Sequence, residues 1–398
     1  MSDLYNTTNS VAKAGALIQR AIPMAMLSLL PGLVQAELIS GPQGALTVGI
    51  DSEFEYNSNV GLNADENGDF IISVLPKLIY RYDQGAVRVD AFAGVRVDEY
   101  DDFNDKSSDS FRSEVELTFP YGDELYNYSA QINAGYNEIT RGDADLQDAV
   151  DKEILHLDVN GKYVFTDRYY ALAGVLYRDQ KTVSGNFDDV ETITVPVDFF
   201  YRYSEDLSFG LGYRYRTTEV SGATTADSDD HAFYGAAEGR LTPTVDGALR
   251  VGYQQRDFEQ STYSDDDSLF AEAALSWTCV QDCTVELSFG REQLTSLATQ
   301  SVESTYVNLE WDYPIDAKLT ATLGVGYEDR DYTDLGTDLD TGADRNDEIV
   351  TVQASGDYNL IDERLWLTTK LSVEDRSSTN DEWDFMQTKV SAALAWVY

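Results

Sequence analysis

The chain has 398 residues, with 71 acidic residues against 28 basic ones and a formal net charge of -43. A chain with no basic excess has few counterions to displace from a phosphate backbone, which excludes nucleic acid as a partner class. Aromatic residues at 12% and hydrophobic residues at 42% exclude a disordered chain and leave either two or three soluble domains or one large closed sheet.

The first element is the one long apolar run, Ala21 to Ala36, "AIPMAMLSLLPGLVQA". It is too short and too proline-interrupted for a spanning helix. Lys13 and Arg20 precede it, and it closes on the small-residue pattern Val34-Gln35-Ala36. Residues 1–36 therefore read as a secretory signal, with Glu37 as the first mature residue; a buried N-terminal helix is the competing reading. Residues 37–44, "ELISGPQG", read as a short periplasmic segment. No second apolar run offers a membrane helix.

From Ala45 onward apolar residues recur at every second position. Leu46, Val48, Ile50, Phe54 and Tyr56 share one face, against Thr47, Asp51, Glu53 and Glu55 on the other. Val87 to Val97 and Leu319 to Tyr327 repeat the pattern. Period two sustained over ten or more residues predicts strands, and strands of that length, tilted, cross a bilayer core. Short turns at Asp83-Gln84-Gly85, Gly122–Leu125, Thr166–Arg168, Ser204–Leu207, Thr242–Thr244, Val280–Asp282, Pro314–Ala317 and Ile361–Glu363 alternate with longer acidic loops such as "TDLGTDLDTGADRNDE". The expectation is one all-β, transmembrane, antiparallel up-and-down barrel of about eighteen strands over residues 45–398, with short turns on the periplasmic side. Tyr82, Tyr128, Phe165, Tyr203 and Trp311 mark one aromatic girdle, and Phe54, Tyr56, Tyr213, Tyr253 and Tyr327 the other. A soluble sandwich built from such strands would carry far too much apolar surface.

The last strand alternates Val390, Ala392, Leu394, Trp396 and Tyr398. Leu394, Trp396 and Tyr398 resemble the aromatic-ended signal that the outer-membrane assembly machinery reads, which makes that machinery an expected partner. Outer-membrane lipid and lipopolysaccharide are the others that a barrel implies.

The polar faces should line a lumen. There the alternation places Arg88, Arg96, Arg112, Arg178, Arg202, Arg214, Arg216, Arg240, Arg250, Arg256 and Arg330, with Lys162 among the lysines and a similar number of acids. Such a wall suits a polar pore or a sugar path; equally, its charges can satisfy each other across strands and fill the interior. On the first of these readings Arg96, Arg214, Arg216 and Arg250 should favour large anionic sugars. Asp338 and Asp340 match a calcium loop only in part, because Gly342 stands where a third ligand belongs. Cys279 and Cys283 flank a three-residue turn and read as a local disulfide. His156 falls on a polar strand face and His231 beside Asp229 and Asp230, but no nucleophile-elbow, zinc-protease or phosphate-loop motif is present. The chain is not expected to be an enzyme, nor to need a cofactor or metal.

The segment "YNSNVGLNADENGDFIISVLPKLIYRY" carries a strand ending in Tyr56-Asn57-Ser58-Asn59, an acidic loop, Asp69-Phe70-Ile71, then Pro76 and Leu78. It resembles the opening hairpin of the Putative beta-barrel porin 2 family, which often has Gly where Lys77 stands here. The resemblance implies an outer-membrane channel of a Gram-negative bacterium, with a role in capsular or exopolysaccharide export and with periplasmic export proteins and polysaccharide as partners. A general or sugar-selective uptake porin and a non-conducting structural barrel are the alternatives.

Overall fold

The computed structural model describes residues 37–42, 44–120, 126–183, 187–221, 227–259, 266–279, 282–295, 301–333, 345–361 and 364–397. The signal segment, Tyr398 and the Asp338–Asp340 loop lie outside these residues. The strands are β1 (Glu37–Gly41), β2 (Gly44–Asn57), β3 (Asp69–Gln84), β4 (Val87–Tyr100), β5 (Ser108–Phe119), β6 (Tyr128–Asp143), β7 (Asp148–Thr166), β8 (Tyr169–Thr182), β9 (Asp189–Arg202), β10 (Leu207–Ser221), β11 (Ser228–Thr242), β12 (Val245–Phe258), β13 (Asp266–Thr278), β14 (Thr284–Thr295), β15 (Ser301–Pro314), β16 (Leu319–Thr333), β17 (Arg345–Ile361), β18 (Leu365–Ser378) and β19 (Phe385–Val397).

Each strand from β2 to β19 pairs antiparallel with the next, and β19 returns to pair with β2 from Lys389↔Asn57 to Val397↔Gly49. Those strands close an eighteen-membered barrel, which leaves no open sheet edge along its wall. β1 stands outside this count. It pairs with β2 from Glu37↔Thr47 to Gly41↔Gly44, on the same edge as β19 and just beyond the place where β19 stops. The N-terminal segment expected from the sequence is thus itself a strand, laid along the seam. We call the end that carries β1 and the end of β19 the terminal rim, and the opposite end the distal rim.

The period-two pattern decides which way each side chain points. Leu211 and Phe233 are 75% and 61% exposed on the outer face, and Val251, Leu309, Leu323 and Val352 are exposed there too. Two prolines sit where the ladder can spare a donor. Pairing of β3 with β4 skips from Val74↔Val97 to Lys77↔Gly94, and pairing of β8 with β9 skips from Ala173↔Val197 to Leu176↔Thr194. Pro76 and Pro196 lie in those gaps, as a residue without an N–H requires.

The distal rim is not a ring of separate loops. Val60, Ile71, Tyr100 and Ala149 form a small buried apolar cluster beneath it. Asp69 accepts from the Asp102 and Phe103 amides at 3.0 and 2.9 Å, Asn63 Nδ2 donates to the Gln147 carbonyl at 3.1 Å, and Gln147 Nε2 donates to the Glu382 carbonyl at 2.7 Å. The connections after β2, β4, β6 and β18 are therefore bound to one another.

Candidate functional site: the lumen

The inner surface divides into two sectors. In the first, β8 to β13 turn aromatic rings inward. Tyr170, Phe200, Tyr234 and Phe270 pack with Ala232 and Ala236 into a buried cluster, all between 1% and 7% exposed. Tyr170 and Phe200 stack at 5.0 Å, and Tyr234 meets Phe270 at 5.1 Å. β10 makes the room: a Cβ on Gly210 would enter the Phe200 ring, and one on Gly212 the Tyr234 ring. Alternation by itself does not mark these four rings as inward. The missed signal is the doublet, Tyr169-Tyr170, Phe199-Phe200, Phe233-Tyr234 and Leu269-Phe270, in which one large apolar residue serves each face.

Beside the rings runs a chain of alternating charge. Asp198 on β9 meets Arg250 on β12 at 3.2 Å, and Arg250 meets Glu272 on β13 at 3.5 Å. Glu272 meets Arg214 on β10 at 3.4 Å, and Arg214 meets Glu292 on β14 at 3.3 Å. Glu292 meets Arg216 at 3.3 Å, and Asp230 on β11 lies 2.6 Å from Arg216 and 2.7 Å from Arg256. Four acids and four arginines alternate, so this wall is neutral. Arg256 is completely buried.

These arginines also hold the barrel together. Pairing of β13 with β14 ends at Ala271↔Arg291, although both strands run on toward the distal rim. In the gap, Arg216 donates to the Gln293 carbonyl, and Arg256 donates to the Leu294 carbonyl at 2.7 Å and to Ser301 Oγ at 3.1 Å. Guanidinium forks replace the missing ladder bonds.

The second sector, β5 to β9, is open. A distal chamber of about 720 Å³ is lined by Lys152, His156, Asp158, Arg178, Gln180 and Thr192 among others. A second chamber of about 640 Å³, nearer the terminal rim, is lined by Gln131, Asn160, Lys162, Leu172, Asp198 and Arg250 among others. Leu176 and Thr194 line both, so the two abut along one wall.

Above the distal chamber the β6–β7 turn reaches the other side of the mouth. Tyr332 OH donates to Asp145 at 2.8 Å, and Arg345 and Arg376 lie 3.4 and 3.5 Å from it. Arg376 also donates to the Ala144 carbonyl at 3.1 Å. Between β7 and β16 along the wall stand eight strands one way, and β19 and β2–β5 intervene between β18 and β6 the other way, so the contact spans the opening. Arg345 lies over Tyr332 and Trp383 at 3.9 and 3.6 Å, and both arginines bond the fully buried Asp347.

The remaining sequence-selected residues fall into place around this division. Arg88 pairs with Asp90 at 2.6 Å and Arg240 with Asp246 at 3.6 Å, both at the terminal rim. Arg96 binds Asp98 at 2.7 Å and Glu53 at 3.2 Å, and Arg330 binds Glu328 at 2.7 Å. Arg178 donates to Gln180 at 3.0 Å, and Arg202 donates to the Asp167 carbonyl at 3.0 Å. Arg112 Nε is buried without a hydrogen-bond partner among the described residues. The arginines named from the sequence as solute partners, Arg96, Arg214, Arg216 and Arg250, are thus each engaged by carboxylates. Cys279 and Cys283 are joined by a disulfide across their turn, with Cα atoms 5.1 Å apart. Leu394 and Trp396 pair with Ser52 and Ile50 at the β19–β2 seam.

Each histidine is bonded by a neighbouring strand. His156 Nε2 bonds Asn133 Oδ1 at 2.8 Å. His231 Nδ1 bonds Tyr213 OH at 2.7 Å, while its sequence neighbour Asp230 points the opposite way, to Arg216 and Arg256. Among the described residues no group of three or more His, Cys, Asp or Glu could hold a metal ion.

Solved structures similar to this chain are outer-membrane barrels. OccK2 (OpdF) from Pseudomonas aeruginosa is 11% identical, with 88% of this chain and 97% of that one covered and a TM-score of 0.48. The siderophore receptor PirA from the same organism is 10% identical, covering 90% and 81%, at 0.45. The FrpB iron transporter from Neisseria meningitidis is 11% identical, covering 92% and 68%, at 0.44. No curated protein matches the sequence. The family described as Putative beta-barrel porin 2 matches residues 46–397, all but the first few residues of the closed barrel, and the chain therefore belongs to that family, an outer-membrane porin-like β-barrel channel of a Gram-negative bacterium.

Proposed function

We propose that the protein is a narrow, eccentric channel for small polar solutes of sugar size, and not an enzyme. The observation that carries this reading is the pair of abutting chambers, about 720 and 640 Å³, lined by Asn160, Gln131, Thr192, Thr194 and charged side chains, beside the ring cluster that takes up the lumen against β8 to β13. A barrel of eighteen strands left empty would hold a broad aqueous pore. Here rings, the neutral charge ladder and the tied distal loops take up part of that section, so a small hydroxylated solute fits better than a polysaccharide chain in transit. Polymer export, which the family resemblance implies, is therefore the less favoured use of this lumen. We place the terminal rim in the periplasm and the distal loops outside, with lipid and lipopolysaccharide against the outer face and the β19 end serving assembly.

The test is flux into proteoliposomes. Swelling rates should be appreciable for mono- and disaccharides and fall steeply for longer oligosaccharides, with small single-channel conductance in planar bilayers. Absence of both conductance and swelling would leave a structural barrel. Equal rates for long and short sugars would restore a polymer path.

A further inference from the structure

The chamber nearer the terminal rim carries one cation that nothing in the wall neutralises. Its lining has three cations, Lys162, Arg214 and Arg250, against two acids, Asp198 and Glu272. Both acids are spoken for: Asp198 lies 3.2 Å from Arg250, and Glu272 lies 3.4 Å from Arg214 and 3.5 Å from Arg250. Lys162 has no carboxylate within ion-pair distance among the described residues. Its ammonium instead sits over the Tyr170 ring, 4.4 Å from the centroid. Arg202 approaches the same ring at 5.7 Å, and its guanidinium donates to the Asp167 carbonyl at 3.0 Å. Tyr170 is fixed from behind, because its hydroxyl donates to Glu238 at 2.7 Å and its ring stacks on Phe200.

A ring that two cations approach keeps both nearby without cancelling either charge. An ammonium on an aromatic face keeps its three N–H donors for other partners. Asn160, Gln131 and Ser129 line the same chamber and can meet hydroxyl groups. We propose that Lys162, supported by Tyr170 and Arg202, is an anion-binding subsite that selects hydroxylated solutes bearing one acidic group, a sugar acid or a sugar phosphate. This deepens the channel reading given above and rests on it for the route by which the solute arrives. Of the acids around this corner, Glu238 accepts from Tyr170, Asp198 and Glu272 bind Arg250, and Glu116 accepts from Gln131 at 3.2 Å, so each is engaged beside the subsite.

Two measurements keep the subsite and the channel apart. The first is block of single-channel current by gluconate, by glucose 6-phosphate and by neutral sorbitol. The second is equilibrium dialysis of the same three solutes against the detergent-solubilised barrel, which needs no conduction. Wild type should bind and be blocked by the two anions and not by sorbitol, more weakly at high salt. Lys162→Gln should lose at least tenfold in affinity, about 1.4 kcal/mol, with Lys162→Arg retaining most of it. Arg202→Gln should lose less. Preference for gluconate over the phosphate, or the reverse, assigns the acid group. Equal binding by wild type and Lys162→Gln, or binding of sorbitol as strong as gluconate, overturns the subsite. Anion binding that depends on Lys162 in a barrel that conducts nothing keeps the subsite and removes the channel.

Discussion

The two sides of this barrel use charge in opposite ways. Along β9 to β14 each arginine of the ladder touches an acid, and two of them also bind backbone carbonyls of β14. Along β7 and β8, Lys162 and Arg178 touch no acid among the described residues and line open space, although Lys152 on β7 is paired with Asp143. A guanidinium closed between carboxylates is part of the wall, whereas a cation left facing a chamber is available to a solute. The same residue type in the same lumen therefore serves either stability or selection, and its partners decide which.

Breaking the ladder should have the largest effect. Asp230→Ala leaves Arg216 and Arg256 buried without their shared carboxylate, and removal of one partner from a buried pair costs about 3–5 kcal/mol. Urea unfolding of the barrel in lipid vesicles should show a loss of that order, together with increased proteolysis of the β14–β15 hairpin. Phe270→Ala comes next, at about 3 kcal/mol, the low end for loss of a large ring because the hole adjoins a wet chamber. The same change should widen the path and raise conductance. A smaller effect is expected from Asp145→Ala, which removes charge-assisted bonds from Tyr332, Arg345 and Arg376 worth about 1.5–3 kcal/mol at most, since Asp347 still compensates both arginines. Its clearer signature should be more frequent full-open events in single-channel records as the β6–β7 turn leaves the mouth. Arg178→Gln on the open side should change stability by no more than about 0.5 kcal/mol while shifting the reversal potential toward cations. A loss of stability at Arg178 equal to that at Asp230 would erase the distinction between the two sides.

Much of the fold was legible, and the reason is local. Alternation at Leu46 to Tyr56 or Val87 to Val97 needs only neighbouring residues, and burial of one face forces the register. The turns at Gly85, Arg168, Ser204 and Thr244 could be read for the same reason. The lumen was legible only as a list of inward residues. Which arginine meets which acid depends on shear and closure: Arg214 finds Glu272 three strands away, and Arg376 finds Asp145 from 231 positions off. Nothing near Arg214 or Arg216 in the sequence distinguishes them from Arg178. The inward rings did leave a trace, because a doublet such as Phe199-Phe200 breaks strict alternation. Position Lys162 looks like one cation among many; its value comes from having a ring and no carboxylate beside it among the described residues, an arrangement that exists only in three dimensions.

The small strand β1 has a bearing on how the molecule treats its own ends. The described pairing of β19 with β2 reaches Val397↔Gly49, while β2 still offers backbone groups on that edge down to Gly44. An uncovered stretch of that kind invites another chain to zip onto it. Glu37 to Gly41 lie over that ledge like the flap of an envelope, and in doing so bring the first described residue of the chain beside the last. One strand, β2, thus carries both the first and the last described strands on a single edge.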